Sequence, residues 1–313
     1  MKRSTLVWTA VIAGIALLAF GAVLIAGVLI LSEDGGFSGM GSGSRIAVIP
    51  VEGVITDETA REINKHLKQY GDDNRVKAIL LRVNSPGGGV TASEEIHREV
   101  KRIRDEKKKK IVVSMGTAAA SGGYFISAPA DLIMANRSTI TGSIGVIAEW
   151  VNYKGLADWA KLKPVVVKSG EFKDIGSPTR DMSPREQAFF QGFINNLYNQ
   201  FVRVVVDGRK GKKDLDEAKI RALADGRIYS GEQALENGLV DELGAYEDAL
   251  KRAAELAGIK GEPQTITPPK QRDSITLLDL LFGKTRISGV LPADLPGQLI
   301  GVDSAVKFKY QWK

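Results

Sequence analysis

The chain has 313 residues, 43% hydrophobic and 26% charged, a mix that excludes global disorder and leaves length for one or two domains with real cores. It contains no cysteine, which excludes a disulfide framework, cysteine-bound zinc, iron–sulfur clusters and a thiol nucleophile. The formal charge of +6 is modest for this length, and any histidine chemistry must draw on just two residues, His66 and His97.

Residues 6–31 hold no charged side chain and are almost wholly apolar. At a rise of about 1.5 Å per residue they reach ~39 Å, enough to cross a ~30 Å hydrocarbon core with some tilt. A cleavable secretory segment has a shorter apolar region, so the stretch predicts a retained transmembrane helix. Lys2 and Arg3 precede it and Glu33-Asp34 follow it. The positive-inside rule then leaves residues 1–5 in the cytoplasm and everything after the span outside it, at the plasma membrane. Residues 32–44 are rich in glycine and serine and read as a flexible linker.

Beyond the linker, short apolar runs alternate with amphipathic ones. Strands are predicted at 46–51, 78–83, 111–115, 132–135 and 164–167. Helices are predicted at 57–70, at 91–106 with a capping box from Thr91 to Glu94, and at 182–206 with Asp181 or Ser183 as cap. On the last helix Phe189, Phe190, Phe193, Leu197, Phe201 and Val204 fall near one face. This alternation predicts an α/β fold with a mostly parallel sheet and crossover helices. The run Lys107–Lys110 reads as a solvated loop, since it lacks the aromatic interleaving or phosphate-binding loop of a nucleic-acid site. From about residue 259 the pattern loosens, and the basic, aromatic end at 308–313 reads by default as a solvent-exposed tail, with docking in the chain's own active sites or contact with lipid as the alternatives.

Two glycine clusters follow strands. They are Asn84-Ser85-Pro86-Gly87-Gly88-Gly89 and Ala118-Ala119-Ala120-Ser121-Gly122-Gly123-Tyr124. Glycine lets backbone N–H groups approach a ligand, and a helix start adds unpaired donors, so both loops suit a phosphate or a developing oxyanion. A Walker loop lacks its lysine, and the spacing is wrong for a dinucleotide fingerprint. Ser121 is then either a nucleophile or simply a helix cap. A nucleophilic serine needs a base. Both histidines lie among charged neighbours on predicted helices and read as surface residues. A lysine can serve instead, but composition does not choose one.

Taken in order, Arg82-Val83-Asn84-Ser85-Pro86-Gly87-Gly88, Ala120-Ser121-Gly122-Gly123-Tyr124, Thr141-Gly142-Ser143-Ile144-Gly145-Val146, Lys168-Ser169-Gly170-Glu171-Phe172-Lys173-Asp174, Met182-Ser183-Pro184 and Ala224-Asp225-Gly226-Arg227-Ile228-Tyr229-Ser230-Gly231 resemble the signal peptide peptidase A family. These are serine–lysine peptidases of the Clp-protease/crotonase-like superfamily. The resemblance implies that residues 45–257 form the peptidase domain, preceded by the transmembrane helix, and it leaves 258–313 as a tail outside it. It implies Ser121 as nucleophile, Lys173 as general base, Ser143 as the residue that orients Lys173, and the N–H groups of Gly88 and Gly122 as the oxyanion hole. It implies no cofactor and no metal. Expected partners are remnant signal peptides and other unfolded or membrane-proximal peptides, the membrane itself, and further copies of the chain that share active sites; no nucleic acid is expected. In Clp proteases a histidine after the serine is the base, and no histidine follows Ser121. A non-catalytic scaffold and an acyl-CoA enzyme of the same fold are the competing readings.

Overall fold

The computed structural model describes residues 44–213, 215–269 and 308–311. The expected anchor at 6–31 and nearly all of the linker lie outside these. Among the described residues no helix is long and apolar enough to cross a membrane.

The elements run β1 (Arg45–Glu52), α1 (Asp57–Asp72), β2 (Val76–Ser85), β3 (Gly87–Gly89), α2 (Val90–Asp105), β4 (Lys110–Ala120), α3 (Gly122–Ser127), β5 (Leu132–Ala135), β6 (Ile140–Gly142), β7 (Ile147–Ala148) and α4 (Lys154–Trp159). After a one-turn 3-10 helix at Glu171–Asp174 come α5 (Pro184–Gly208), α6 (Glu217–Leu223), β8 (Ile228–Tyr229), α7 (Gly231–Glu236), β9 (Glu242–Leu243), α8 (Tyr246–Leu256), β10 (Gln264–Ile266) and β11 (Phe308–Gln311). The main sheet has the order β10-β1-β2-β4-β5-β9, all parallel, with β6 beside the end of β4 and β8 antiparallel to β6. This is the expected α/β architecture.

Alternation along the strands feeds two cores, as a period of two requires. Ala47, Ile49 and Val51 of β1 turn to one face, where Ile63 and Leu67 of α1, Ile96 and Val100 of α2, and Phe201 and Val205 of α5 pack. Ile46 and Val48 turn to the other face and meet Ala249, Ala253 and Ala254 of α8. The small side chains of α8 bring that helix close to the sheet. A buried ion pair joins the layers. Arg209, fully enclosed after α5, donates to the Asp241 carboxylate at 2.9 Å and to the Gly238 carbonyl.

Several expectations are corrected. α2 begins one residue earlier than predicted, with Gly89 as N-cap and no capping bond from Thr91, which lies inside the helix. Its start is set by the preceding loop, where Gly89 N donates to Ile55 O at 2.8 Å and Ile55 N donates to Gly87 O at 2.9 Å. Residues 164–167 are not a strand; no neighbouring strand pairs with them, and Val165 and Val167 are 87% and 96% exposed. α5 is capped by Ser183, one of its two expected caps, in a capping box with Glu186, but the apolar stripe is covered only towards its C-terminal end. Phe201 is buried, whereas Phe189 and Phe193 are exposed. The histidines are not on the surface. His66 is buried and His97 is half-buried with its ring edge-on to Phe125. Finally, the residues after 257 are not all loose tail. β10 adds to the sheet edge beside β1, and β11 forms a separate three-stranded sheet between β3 and β7.

Candidate active site

β4 runs straight into Ser121, and α3 starts at the next residue. Ser121 has φ 54° and ψ −116°, a left-handed conformation rare for a residue with a Cβ. It stands at the N-cap position, yet its side chain makes no capping hydrogen bond. The cap reading of this serine therefore fails locally. The hydroxyl is left over, on a turn held by Ser121 N donating to Gly142 O at 2.8 Å and by Phe125 N donating to Ser121 O at 2.8 Å.

The two glycine loops meet here. A Cβ at Gly122 would stand 2.6 Å from Ser93 Oγ, 3.1 Å from Gly88 N and 3.2 Å from Gly87 Cα, so only glycine fits. A Cβ at Gly88 would strike the Ile55 backbone at 2.1 Å. The loops are also tied by Asn84, whose Oδ1 accepts from Ala118 N at 3.2 Å, and the first is tightened by Gly87 N donating to Ser85 Oγ at 3.1 Å. Ser143 joins the cluster through the chain itself, because it follows Gly142, whose carbonyl receives the Ser121 N–H. Ser143 is buried and also has a positive φ, 50°.

Lys173 lies exposed on the 3-10 turn, and among the described residues no hydrogen bond or ion pair links its ammonium to Ser121 or Ser143. Its backbone is nevertheless well anchored. Arg180 Nε and Nη2 donate to the Asp174 carboxylate at 2.9 Å, while Nη1 donates to Glu186 Oε2 at 2.9 Å. Lys168 Nζ adds a 2.6 Å bond to Asp174. The Arg180 guanidinium holds the Asp174 carboxyl well below the usual carboxylate range and lowers Glu186 to about 2. Glu186 is buried in the first turn of α5, so the residue beside Lys173 is clamped to a long helix.

Two adjoining clefts open beside β7. One, of about 540 Å³, is lined by Val146, Ile147, Trp150, Met182 and Phe190 among others. The second, of about 510 Å³, starts at Ser143 and runs along Ile144–Ile147 to Tyr198 of α5. Between these clefts and the glycine loop lies β11. Its pairing is antiparallel on both sides, Tyr310 opposite Gly88 and Lys309 opposite Ile147.

The model of peptidase family S49 matches residues 103–260, a stretch that contains Ser121, Ser143 and Lys173. The Clp protease model matches residues 42–142, which contain both glycine loops. A Synechocystis sp. protein with a provisional protease name is 44% identical over 229 residues, covering 72% of this chain and 80% of that one. The chain belongs to peptidase family S49. It is a serine peptidase with a Clp-protease-like α/β domain. An Enterococcus faecium protein provisionally named a signal peptide peptidase is 43% identical over 224 residues, 67% of this chain and 62% of that protein. Protease 4 of Salmonella typhi is 37% identical over 275 residues, 85% of this chain and 44% of its own length. The chain thus spans less than two thirds of these last two relatives.

In this S49 peptidase the structure brings Ser121, Gly122, Gly88 and Ser143 together, while Lys173 is exposed and, among the described residues, is not hydrogen-bonded to either serine. Sequence reasoning missed three features of the site. The Arg180 clamp joins residues six apart on either side through a turn that has no periodicity to read. Ser93 lies inside a helix and reads as ordinary amphipathic filling. β11 is four residues long, and its partners are more than 150 residues away in sequence.

Proposed function

We propose that this S49 peptidase is a membrane-anchored endopeptidase with a serine–lysine dyad, acting on remnant signal peptides and other unfolded or membrane-proximal peptides. Ser121 Oγ attacks the scissile carbonyl carbon, and Lys173 Nζ accepts the Ser121 proton. The carbonyl π pair moves onto oxygen, where the Gly88 and Gly122 N–H groups receive the oxyanion; one such donor is worth about 3 kcal/mol in the transition state. Collapse breaks the C–N bond, and Lys173 returns the proton to the leaving amine. Water then enters by the same route to release the acyl group. Ser143 orients Lys173 by a hydrogen bond.

The observation that carries this reading is the strained, uncapped Ser121 set between two loops that accept only glycine. The exposure of Lys173 favours a dyad completed by a neighbouring copy, since general-base duty asks a lysine to be desolvated and its own chain does not enclose it. The antiparallel seat of β11 on β3 favours substrates bound as an added strand, with alternate side chains in the apolar clefts. The N-terminal apolar segment would hold these sites near the bilayer.

The test mixes two inactive chains. Ser121→Ala and Lys173→Ala are each expected to lose essentially all turnover of a fluorogenic peptide while folding normally. Co-assembled, they are expected to recover activity, because some interfaces pair an intact Ser121 with an intact Lys173. A fully active Lys173→Ala chain sinks the dyad; mixed assemblies without activity sink the shared site.

A further inference from the structure

Among the described residues, three buried side-chain polar atoms have no hydrogen-bond partner, Asn64 Oδ1, His66 Nδ1 and Ser93 Oγ. The first two belong to α1. Ser93 lies on the first turn of α2, directly after the glycine loop, and is fully buried. Its Oγ is 2.6 Å from the point where a Cβ of Gly122 would stand, and that same point is 3.1 Å from Gly88 N. The hydroxyl therefore packs against Gly122 where the two glycine loops meet.

A serine inside a helix ordinarily returns its proton to a carbonyl one turn back. Ser127 of α3 does so, donating to Gly123 O at 2.6 Å. Ser93 does not. An unpaired hydroxyl sealed from water costs stability, and alanine would fill the same place without that cost. The group makes physical sense if its partner arrives with the substrate.

We propose that Ser93 is a third hydrogen-bond donor of the oxyanion site, giving its Oγ–H to the tetrahedral intermediate beside the N–H groups of Gly88 and Gly122. The inference rests on the reading of Ser121 as nucleophile and of those two glycines as donors. No proton is transferred by Ser93. The Ser121 Oγ–C bond forms, the carbonyl π pair moves onto oxygen, and the negative oxygen has lone pairs for a third donor that the flat ground-state carbonyl engages less well. The donor is held by α2, whose start is fixed by the Gly89–Ile55 bond, and it is reached when the substrate carbonyl enters between the glycine loops and displaces the packing that seals it.

The experiment uses the full assembled chain, a fluorogenic peptide and a peptide aldehyde that forms a tetrahedral adduct with a reactive serine. Ser93→Ala is expected to lower kcat by about 100-fold with KM within about twofold, and to weaken aldehyde binding by a similar factor. Its melting temperature is expected to equal or exceed that of the parent, because a buried unpaired group has gone. Ser93→Cys, close in shape but a weaker donor, is expected to fall between. Parental kcat and aldehyde affinity in Ser93→Ala, beside an inactive Ser121→Ala, overturns the proposal. So does a kcat loss that comes with a lowered melting temperature and unchanged aldehyde affinity. An active Ser121→Ala overturns the underlying nucleophile reading instead.

Discussion

Ser121 keeps φ at 54° although a side chain there costs about 1–3 kcal/mol, and Ser143 does the same at 50°. The constraint comes from the sheet. β4 pairs with β6 up to Ala120 opposite Gly142, and the Ser121 N–H is then captured by the Gly142 carbonyl. A second residue-scale consequence concerns His97. Burial, then Lys101 and Arg104, push it down from 6.5 to about 4, with Asp207 opposing. Between these values the unfolded chain binds a proton that the folded chain does not. Stability should therefore fall as pH drops from about 6.5 towards 4 and level off below, by up to about 3 kcal/mol. His97→Gln is expected to flatten the melting temperature over the upper part of that window, before pH nears 4.5 and 3.8, from which Glu186 and Asp73 are lowered to about 2 and below which their own loss sets in. An unchanged slope in this variant assigns the pH dependence to another group.

At the scale of elements, β3 is three glycines whose free edge takes β11. A strand edge of this kind offers unpaired N–H and C=O groups to any extended chain. The chain's own strand and a substrate strand would compete for it. Deleting residues 308–313 is therefore expected to raise kcat/KM for a short peptide severalfold, chiefly through a lower KM. The corresponding synthetic hexapeptide, added to the truncated protein, is expected to inhibit competitively. No change on deletion and no inhibition by the peptide would place substrate elsewhere. The Arg180 clamp is the other element-scale device. It gives an irregular segment the rigidity of α5 through a planar fork that a lysine does not reproduce.

At the scale of the molecule, the segment from Trp150 to Val167 presents Val151, Trp159, Leu162 and Val165–Val167 to solvent, with Phe189 and Phe193 of α5 also exposed. Apolar surface of this extent is uncommon on a lone soluble domain. It precedes the exposed turn of Lys173 in the chain, which fits a face that packs on a second copy. Replacing Val165 and Val167 with lysine is expected to shift the protein to a smaller species on size exclusion and to abolish turnover, while leaving the circular dichroism of the parallel-sheet domain unchanged. A monomeric variant with full activity would mean that one chain suffices.

Much of this was legible beforehand because it depends on local patterning. The alternation of apolar strands with amphipathic helices specified the parallel sheet, since each period buries one kind of face. The glycine loops and Ser121 stood out because close backbone approach excludes every larger residue. The missing histidine after Ser121 directed attention to lysine. What the tertiary structure alone decided is non-local. It placed Gly88 against Gly122 across 34 residues of chain, set the start of α2 through Ile55 instead of Thr91, buried His66 and half-buried His97, and left 164–167 unpaired. It also turned an unremarkable helical serine, Ser93, into an unpaired hydroxyl packed where the glycine loops meet. Such relations depend on which surfaces meet in space, and a one-dimensional pattern records only which surfaces are available to meet.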